Sequence, residues 1–260
     1  MTVQSRELVA ETPYIWRARQ PESSHRLICF PHAGAGATAY ADWVRLLPPD
    51  MELVAVQLPG RQNRIAEEPF TEVGPLVNVL THALRPVLGG SFSFFGHSAG
   101  ASLAYEVTKA LRAQGRPGPA RLFLSAQPAP DATGIRRLHE LPEEEFHAEV
   151  LGLGGIDPEI AEDEYVMDSL LSVLRADFTL WERHRTTPDS PLDCPITALA
   201  GEADPRAPKD AVEAWRRFTN AEFDAHYYPG GHFYFLDAGA EMVSLIARQS
   251  AAAAANGRIV

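Results

Sequence analysis

The sequence is poor in cysteine, in positive charge and in long hydrophobic runs, and each shortage excludes a class of protein. Only two cysteines occur, Cys29 and Cys194, and both lie in apolar surroundings, so we expect buried free thiols rather than a disulfide framework. The formal net charge of -11 argues against nucleic acid or an anionic membrane as a partner, because both require clustered lysine and arginine.

The N-terminal segment and the hydropathy pattern predict a cytoplasmic protein. MTVQSRELVAETPY lacks a basic stretch followed by an apolar core and a small-residue cleavage site. No apolar run reaches about 18 residues, the length that a membrane span requires. The chain length of 260 residues suits one large domain, so we expect a single domain over residues 1–260. No amphipathic segment is left over for self-association, which favours a monomer.

Short β-rich runs alternate with helical patterns along most of the chain. The runs are RLICF, ELVAVQL (52–58), FSFFG (92–96), RLFLSA (121–126), ITALAG (196–201) and EFDAHYYP (222–229). This alternation predicts an α/β fold with a mostly parallel central sheet flanked by helices. YIWRAR (14–19) is a candidate antiparallel edge strand, and Gly115 is placed to end the amphipathic helix SLAYEVTKALRAQG.

The alternation stops between about residues 131 and 186, where helical patterns follow one another without a strand. LPEEEF is typical of a helix start, because Pro142 fits the first turn and the glutamates favour the helix dipole. We expect a helical lid over a pocket, with a purely structural extension as the alternative. The alanine-rich segment at about 250–260 predicts a flexible tail.

Ser98 lies in FFGHSAGA, which contains the pattern Gly-x-Ser-x-Gly between a β-rich run and a helical pattern. This setting is typical of a nucleophile elbow, a turn so tight that Gly96 and Gly100 are needed around the serine. The alternative is a glycine-rich turn in which Ser98 serves only as a helix N-cap. We predict that Ser98 is a nucleophile.

A serine nucleophile needs a base, and the base needs an acid that orients it. Among nine histidines, His232 is the predicted base, because it lies in a glycine-flanked loop after the last predicted strand. Asp204 follows ITALAG and precedes His232, which makes it the predicted acid, with Glu202 as its nearest rival. His97 adjoins Ser98 but is expected to be structural.

Two backbone amides are predicted to stabilise the oxyanion. Ala99 follows the nucleophile and supplies one N–H, and Ala33 in FPHAGAGA supplies the other. His32 in this loop either orients the loop or is structural. The same loop contains Gly-x-Gly-x-x-Ala at 34–39, so a nicotinamide-dependent oxidoreductase is a rival, but the next strand ends in Gln57 rather than in an acid. A catalytically silent binding module on a hydrolase scaffold is a further alternative.

From about Arg26 to Ile246 the chain resembles the type II thioesterases that accompany polyketide and nonribosomal peptide synthases. The resemblance rests on FPHAGAGA, LPGRQNR, FFGHSAGA, LPEEEF, LRADF, CPITALAGEADP and YPGGHFYFL, in that order. It implies an α/β-hydrolase fold and hydrolysis of acyl groups from the phosphopantetheine arm of carrier proteins, which removes aberrant or stalled intermediates. By residue matching it assigns Ser98, His232 and Asp204 to the triad, and the Ala33 and Ala99 amides to the oxyanion hole.

The resemblance also implies the partners of the enzyme. These are acyl or peptidyl carrier proteins, which bring the phosphopantetheine with them, so we expect no metal or organic cofactor. Arg61 with Arg64, or Arg136 with Arg137, are candidate contacts for the phosphate or for carrier acids. Hydrolysis of acyl-coenzyme A or of carboxyl esters is the alternative function.

Overall fold

An eight-stranded sheet forms the centre of the structure, a computed structural model that describes residues 7–187 and 189–256. The strands are β1 (Val9–Thr12), β2 (Ile15–Arg17), β3 (His25–Phe30), β4 (Met51–Val56), β5 (Ser91–His97), β6 (Leu122–Ser125), β7 (Ile196–Gly201) and β8 (Phe223–Tyr228). Their spatial order is β1-β2-β4-β3-β5-β6-β7-β8. Strands β3 to β8 are parallel, which confirms the predicted mostly parallel sheet.

The edge of the sheet differs from the prediction. Strand β2 is antiparallel to β4, as YIWRAR predicted, but it is not the edge strand, because β1 pairs with its outer side. All four residues of β1 are exposed. A strand without a buried face has no alternation of apolar and polar residues, so the sequence pattern did not reveal it.

Helices cover both faces of the sheet. They are α1 (Trp43–Leu46), α2 (Val73–Ala83), α3 (Ala99–Ala113), α4 (Glu143–Gly152), α5 (Pro158–Glu162), α6 (Glu164–Arg183), α7 (Lys209–Glu213) and α8 (Phe235–Asn256), with 3-10 segments at Ala37–Tyr40, Gln62–Arg64, Arg85–Val87 and Ala214–Phe218. Helix α3 ends as predicted at Gly115, whose φ is +63°, with Arg116 N–H donating to Leu111 O at 2.9 Å. Among the described residues, none of these helices has the length and apolarity to cross a bilayer.

The core lies on both sides of the sheet because successive strand residues point to opposite faces. In β5, Phe94 packs into the cluster on one face and Phe95 into the cluster on the other. In β3, Ile28 packs into the same cluster as Phe94 and Cys29 into the same cluster as Phe95. This burial on both faces explains the continuous apolar runs in the sequence. Both cysteines, Cys29 and Cys194, are free, as expected.

The segments that interrupt or end the α/β pattern are helical. Helices α4, α5 and α6 lie between β6 and β7, within the segment for which an insertion was expected. Residues 250–256 continue helix α8, although the sequence predicted a flexible tail from about residue 250. Alanine has the highest helix propensity, so the run of alanines extends the helix instead of ending it. Residues 257–260 lie outside the described residues.

His25 forms a buried polar cluster at the amino ends of β3 and β5. Its Nδ1 lies 2.8 Å from Ser91 Oγ, and its Nε2 lies 3.0 Å from Ser93 Oγ. Burial lowers the pKa of the His25 imidazole to about 4. The ring is therefore neutral in the folded protein at pH values where the unfolded chain binds a proton.

This cluster predicts a loss of stability in acid. The unfolded state protonates His25 below about pH 6.5, whereas the folded state does so only near pH 4, so the free energy of unfolding falls through that window by up to about 3 kcal/mol. Urea unfolding at pH 7 and pH 4.5 should show a smaller decrease for His25→Gln than for wild type. His82→Gln, at an exposed position, is the control, and equal pH dependence in all three proteins would contradict the prediction.

Candidate active site

Ser98 occupies a strained turn between β5 and α3. Its φ of 54° and ψ of -122° lie in a region that residues other than glycine rarely adopt, at a cost of about 1–3 kcal/mol. The Ser98 N–H donates to Ser125 O at 2.7 Å, which ties the turn to β6. The Ser98 side chain makes no capping hydrogen bond to α3, so the N-cap interpretation of this serine is wrong.

The two glycines of the Gly-x-Ser-x-Gly pattern are required by close backbone contacts. A Cβ on Gly96 would lie 2.1 Å from Gly100 O, and a Cβ on Gly100 would lie 2.1 Å from Phe30 O. Both neighbours are backbone atoms, which cannot move aside as a flexible side chain can. The turn can therefore form only if both positions lack a side chain.

Gly100→Ala is expected to be strongly destabilising, by about 4 kcal/mol or more, because the methyl group overlaps the backbone of β3. Gly239→Ala is the matched control: Gly239 also lies in a helix, and a Cβ there meets nothing within 4 Å. The control should be neutral or slightly stabilised. Expression of soluble protein and urea unfolding measure both effects, and similar stability of the two variants would contradict the steric argument.

His232 connects Ser98 to Asp204. Its Nε2 lies 3.0 Å from Ser98 Oγ, and its Nδ1 lies 2.8 Å from Asp204 Oδ2. His232 and Asp204 are only 3% and 5% exposed. The other carboxylate oxygen of Asp204 accepts the Arg206 N–H at 2.9 Å, so both oxygens are held in place. Glu202, the rival acid, is exposed and is not the carboxylate that contacts His232.

The loops that carry Asp204 and His232 are joined through their backbones. Ala203 N–H donates to Gly230 O at 2.9 Å. Gly201, the last residue of β7, allows this approach, because a Cβ there would lie 2.1 Å from Gly231 O. The sequence analysis gave Gly201 no role, although its position at the end of a strand just before the predicted acid was a usable signal.

Two further imidazoles lie beside His232, and both are kept neutral. Burial lowers the pKa of His97 well below its usual value. Burial, followed by the charges of His232 and Arg61, lowers the pKa of His32 to about 3. The His97 Nδ1 lies 2.8 Å from Ser125 Oγ, and the His97 ring is 5.3 Å from the His232 ring. The two neighbouring rings therefore add no positive charge beside the triad.

The residues predicted to donate to the oxyanion line the same cavity as Ser98. Ala99 begins helix α3, and Ala33 follows the carboxyl end of β3, the neighbour of β5 in the sheet. Both line the cavity that contains Ser98 and His232. The dinucleotide-binding interpretation of 34–39 does not fit, because this segment runs into a four-residue 3-10 helix, Ala37–Tyr40, in place of the long helix that would bind a pyrophosphate.

Two cavities of different polarity meet at Ser98 and His232. The larger one has a volume of about 580 Å³ and many polar lining residues, among them Ser102, Glu106, Gln127, Thr133, Arg136, Arg137 and Arg185. The smaller one has a volume of about 180 Å³ and a mostly apolar wall that includes Val150, Leu153, Ile156, Leu170, Leu174 and Phe178. Residues 150–178 of the helical insertion supply most of this apolar wall, with Val150 from α4 and Leu170, Leu174 and Phe178 from α6.

The candidate arginines for partner contacts differ in exposure. Arg61 and Arg64 are buried and form ion pairs with Asp177 and Glu67, so their predicted role in surface contacts is wrong. The sequence pattern could not reveal the pairing of Arg61 with the buried and distant Asp177, whereas Glu67 lies three residues from Arg64 and is exposed. Arg136 and Arg137 are exposed and line the larger cavity.

The fold is of the α/β-hydrolase class, with Ser98 on a tight turn after a central strand and in hydrogen-bond contact with His232, which follows the last strand. The model of the thioesterase domain family matches residues 25–250, and the chain belongs to this family. It is therefore a hydrolase that acts on thioester bonds.

The chain is similar to proteins of antibiotic and other biosynthetic pathways. It is 36% identical to the gramicidin S biosynthesis protein GrsT of Aneurinibacillus migulanus over 225 residues, which cover 86% of this chain and 88% of GrsT. RedJ, the thioesterase from the prodiginine biosynthetic pathway in Streptomyces coelicolor, is 37% identical with a TM-score of 0.82, covering 89% of this chain and 87% of RedJ. The type II thioesterase BorB from the borrelidin biosynthetic cluster is 35% identical with a TM-score of 0.84, covering 93% of this chain and 99% of BorB. These findings confirm the resemblance and the predicted fold.

Proposed function

We propose that this thioesterase hydrolyses acyl groups from the phosphopantetheine arm of acyl or peptidyl carrier proteins and thereby removes aberrant or stalled intermediates from a polyketide or nonribosomal peptide synthase. The observation that carries the proposal is the meeting of a polar and an apolar cavity at Ser98 and His232. A thioester on a pantetheine arm has the same division, with an apolar acyl chain on one side of the carbonyl and a polar arm on the other.

The catalytic roles follow from the hydrogen bonds. Ser98 Oγ attacks the thioester carbonyl while His232 Nε2 accepts the hydroxyl proton, and Asp204 holds the Nδ1–H. The Ala33 and Ala99 amides stabilise the oxyanion. His232 then returns the proton to the leaving sulfur, and an ordinary thiol, with a pKa of about 8.5, leaves readily. Water, activated by the same histidine, hydrolyses the acyl-enzyme and releases the carboxylic acid.

The chain itself supplies the nucleophile, the base and the oxyanion donors, so the proposed reaction requires no cofactor. The apolar cavity, with a volume of about 180 Å³, receives the acyl group. Apolar acyl groups are therefore the best substrates. Helices α4 to α6 act as a lid, since they form most of the wall of this cavity. A monomeric state and a cytoplasmic location stay predictions of the sequence.

The proposed substrate is tested by comparing an acyl carrier protein, the same acyl group on coenzyme A and an aryl ester, with wild type and with Ser98→Ala. The carrier-bound thioester should have the highest kcat/KM, and all hydrolysis should depend on Ser98. A preference for aryl esters by orders of magnitude would refute the editing role and leave the hydrolase. A preference for coenzyme A over the carrier would favour acyl-coenzyme A hydrolysis.

The partner surface is tested by charge reversal at the cavity mouth. Arg136→Glu combined with Arg137→Glu should lower kcat/KM for an acyl carrier protein by about tenfold, mainly through KM and with a weaker salt dependence, since these exposed arginines, which pair with Glu149 and Glu140 in the free protein, are the proposed contacts for an acidic partner. Hydrolysis of a small acyl thioester should change less than about twofold. Arg45→Glu, at an exposed position in α1, is the control, and an undiminished carrier reaction excludes this patch.

A further inference from the structure

Asp177 of helix α6 connects the inserted helices to the loop that contains Ala33. Its Oδ2 accepts the Gly34 N–H at 2.8 Å. Arg61 holds the same carboxylate with Nη1 2.5 Å from Oδ2 and Nη2 3.0 Å from Oδ1. The third guanidinium nitrogen of Arg61, Nε, donates to Pro59 O at 3.0 Å. Both side chains are buried, with Arg61 4% and Asp177 5% exposed.

Stability alone does not explain a buried ion pair. The desolvation of two charges opposes their attraction, and apolar residues of similar volume are often as stable. The distinctive feature of this pair is its third partner, because the carboxylate uses its remaining acceptor capacity on a backbone amide. That amide belongs to Gly34, the residue next to the proposed oxyanion donor Ala33.

The hydrogen bond to Gly34 restricts the Ala33 peptide. A peptide unit is planar and rigid, so holding the Gly34 N–H fixes the plane that carries the Ala33 carbonyl, and only the two torsions at Ala33 separate this plane from the one that carries the Ala33 N–H. Gly34 has a φ of +75°, and the Ala35 N–H donates to His32 O at 3.1 Å, so a tight turn with Ala33 and Gly34 at its centre restricts the Ala33 torsions. The other end of the loop is held where Ala37 N–H donates to Gln57 Oε1 at 2.8 Å. The loop is therefore fixed on both sides of its glycines.

We propose that Asp177 is a positioning residue that holds the Ala33 amide in place for the oxyanion, and that Arg61 supplies the counter-charge. A lone carboxylate near developing negative charge would oppose the reaction, whereas the ion pair is neutral as a whole. The inference rests on the proposed catalytic roles of Ser98 and Ala33. It gives the helical insertion a part in catalysis besides covering the site.

Two double variants separate positioning from packing. Arg61→Met with Asp177→Leu removes the charges and the acceptor for Gly34 N–H, while Arg61→Met with Asp177→Asn removes the charges but keeps an acceptor oxygen. Asp168→Asn, at an exposed position in the same helix, is the control. Active sites are counted with a fluorophosphonate that labels Ser98, and kcat and KM are measured per labelled site with a small acyl thioester.

The Leu variant should lose about 10- to 100-fold in kcat with KM changed less than about threefold, because loss of one oxyanion donor costs about 10²- to 10³-fold and misplacement costs less. The Asn variant should retain kcat within about fivefold of wild type. Equal kcat in the two variants, or a fall of more than tenfold in the Asn variant, overturns the inference. If the Leu variant does not fold, the Asn variant still decides, because a fall of more than tenfold in its kcat overturns the inference.

The proposed function fails separately. If wild type does not hydrolyse acyl thioesters, or hydrolyses them without labelling at Ser98, the catalytic roles are wrong. If wild type is active through Ser98 and both double variants keep full kcat per site, the roles stand and only the positioning by Asp177 is wrong.

Discussion

Ser98→Ala is expected to lower kcat for acyl thioester hydrolysis by about 10⁴- to 10⁶-fold, since loss of the nucleophile removes the covalent route and leaves only the contribution of binding and the oxyanion hole. The release of free thiol measures the reaction. KM should change little, because the side chain that is removed contributes to the transition state rather than to substrate binding. Retention of more than about one hundredth of the wild-type kcat would contradict the assignment of Ser98.

A second substitution at the same position separates activity from stability. Ser98→Gly is equally inactive, but glycine adopts the φ of 54° and ψ of -122° without strain. We therefore expect Ser98→Gly to unfold at higher urea than Ser98→Ala, by about 1 kcal/mol or more of unfolding free energy. Equal stability of the two variants would show that the turn is not strained.

Asp204→Asn is expected to lower kcat by about 10⁴-fold through the wrong histidine tautomer. Arg206 N–H donates to Asp204 Oδ1 at 2.9 Å, so the amide oxygen of asparagine takes that position and its NH₂ group faces His232 Nδ1. Nδ1 must then accept a hydrogen bond, which puts the imidazole proton on Nε2. A protonated Nε2 cannot accept the hydroxyl proton of Ser98. The packing is unchanged, so the fold should be retained.

The matched control for this position is Glu202→Gln. Glu202 lies two residues earlier and is exposed. The substitution makes the same change from acid to amide outside the triad. Its kcat should stay within about twofold of wild type. The assignment of Asp204 would be wrong if the two variants lost activity equally, or if Glu202→Gln had the larger effect.

The parts of the site that local spacing determines could be predicted from the sequence. Gly96 and Gly100 are recognisable because the elbow needs two positions without a side chain at a fixed distance from Ser98. His232 could be chosen because chain order and flanking glycines distinguish it. Asp204 and Glu202 were harder to separate, since both follow the same strand, and only the structure distinguishes them through the contact of Asp204 with His232 and the exposure of Glu202.

The contacts that join distant segments could not be predicted. Arg61 and Asp177 are 116 residues apart, and no local pattern indicates which acid meets which base. A partial signal existed in helix α6, where Asp177 continues the apolar stripe of Leu170 and Leu174, a spacing that predicts a buried face. A buried carboxylate needs a partner, but the identity of that partner depends on the tertiary structure.

The origin of the two cavity walls has a consequence for protein engineering. The apolar wall comes mostly from the inserted segment 150–178, whereas Ser98 and His232 are attached to the sheet. Chimeras that exchange residues 143–183 between family members should therefore transfer acyl-chain selectivity while the nucleophile and base stay intact. Such grafts must keep an acceptor at position 177 that matches residue 61 of the recipient, or the transferred selectivity will come with a slower enzyme.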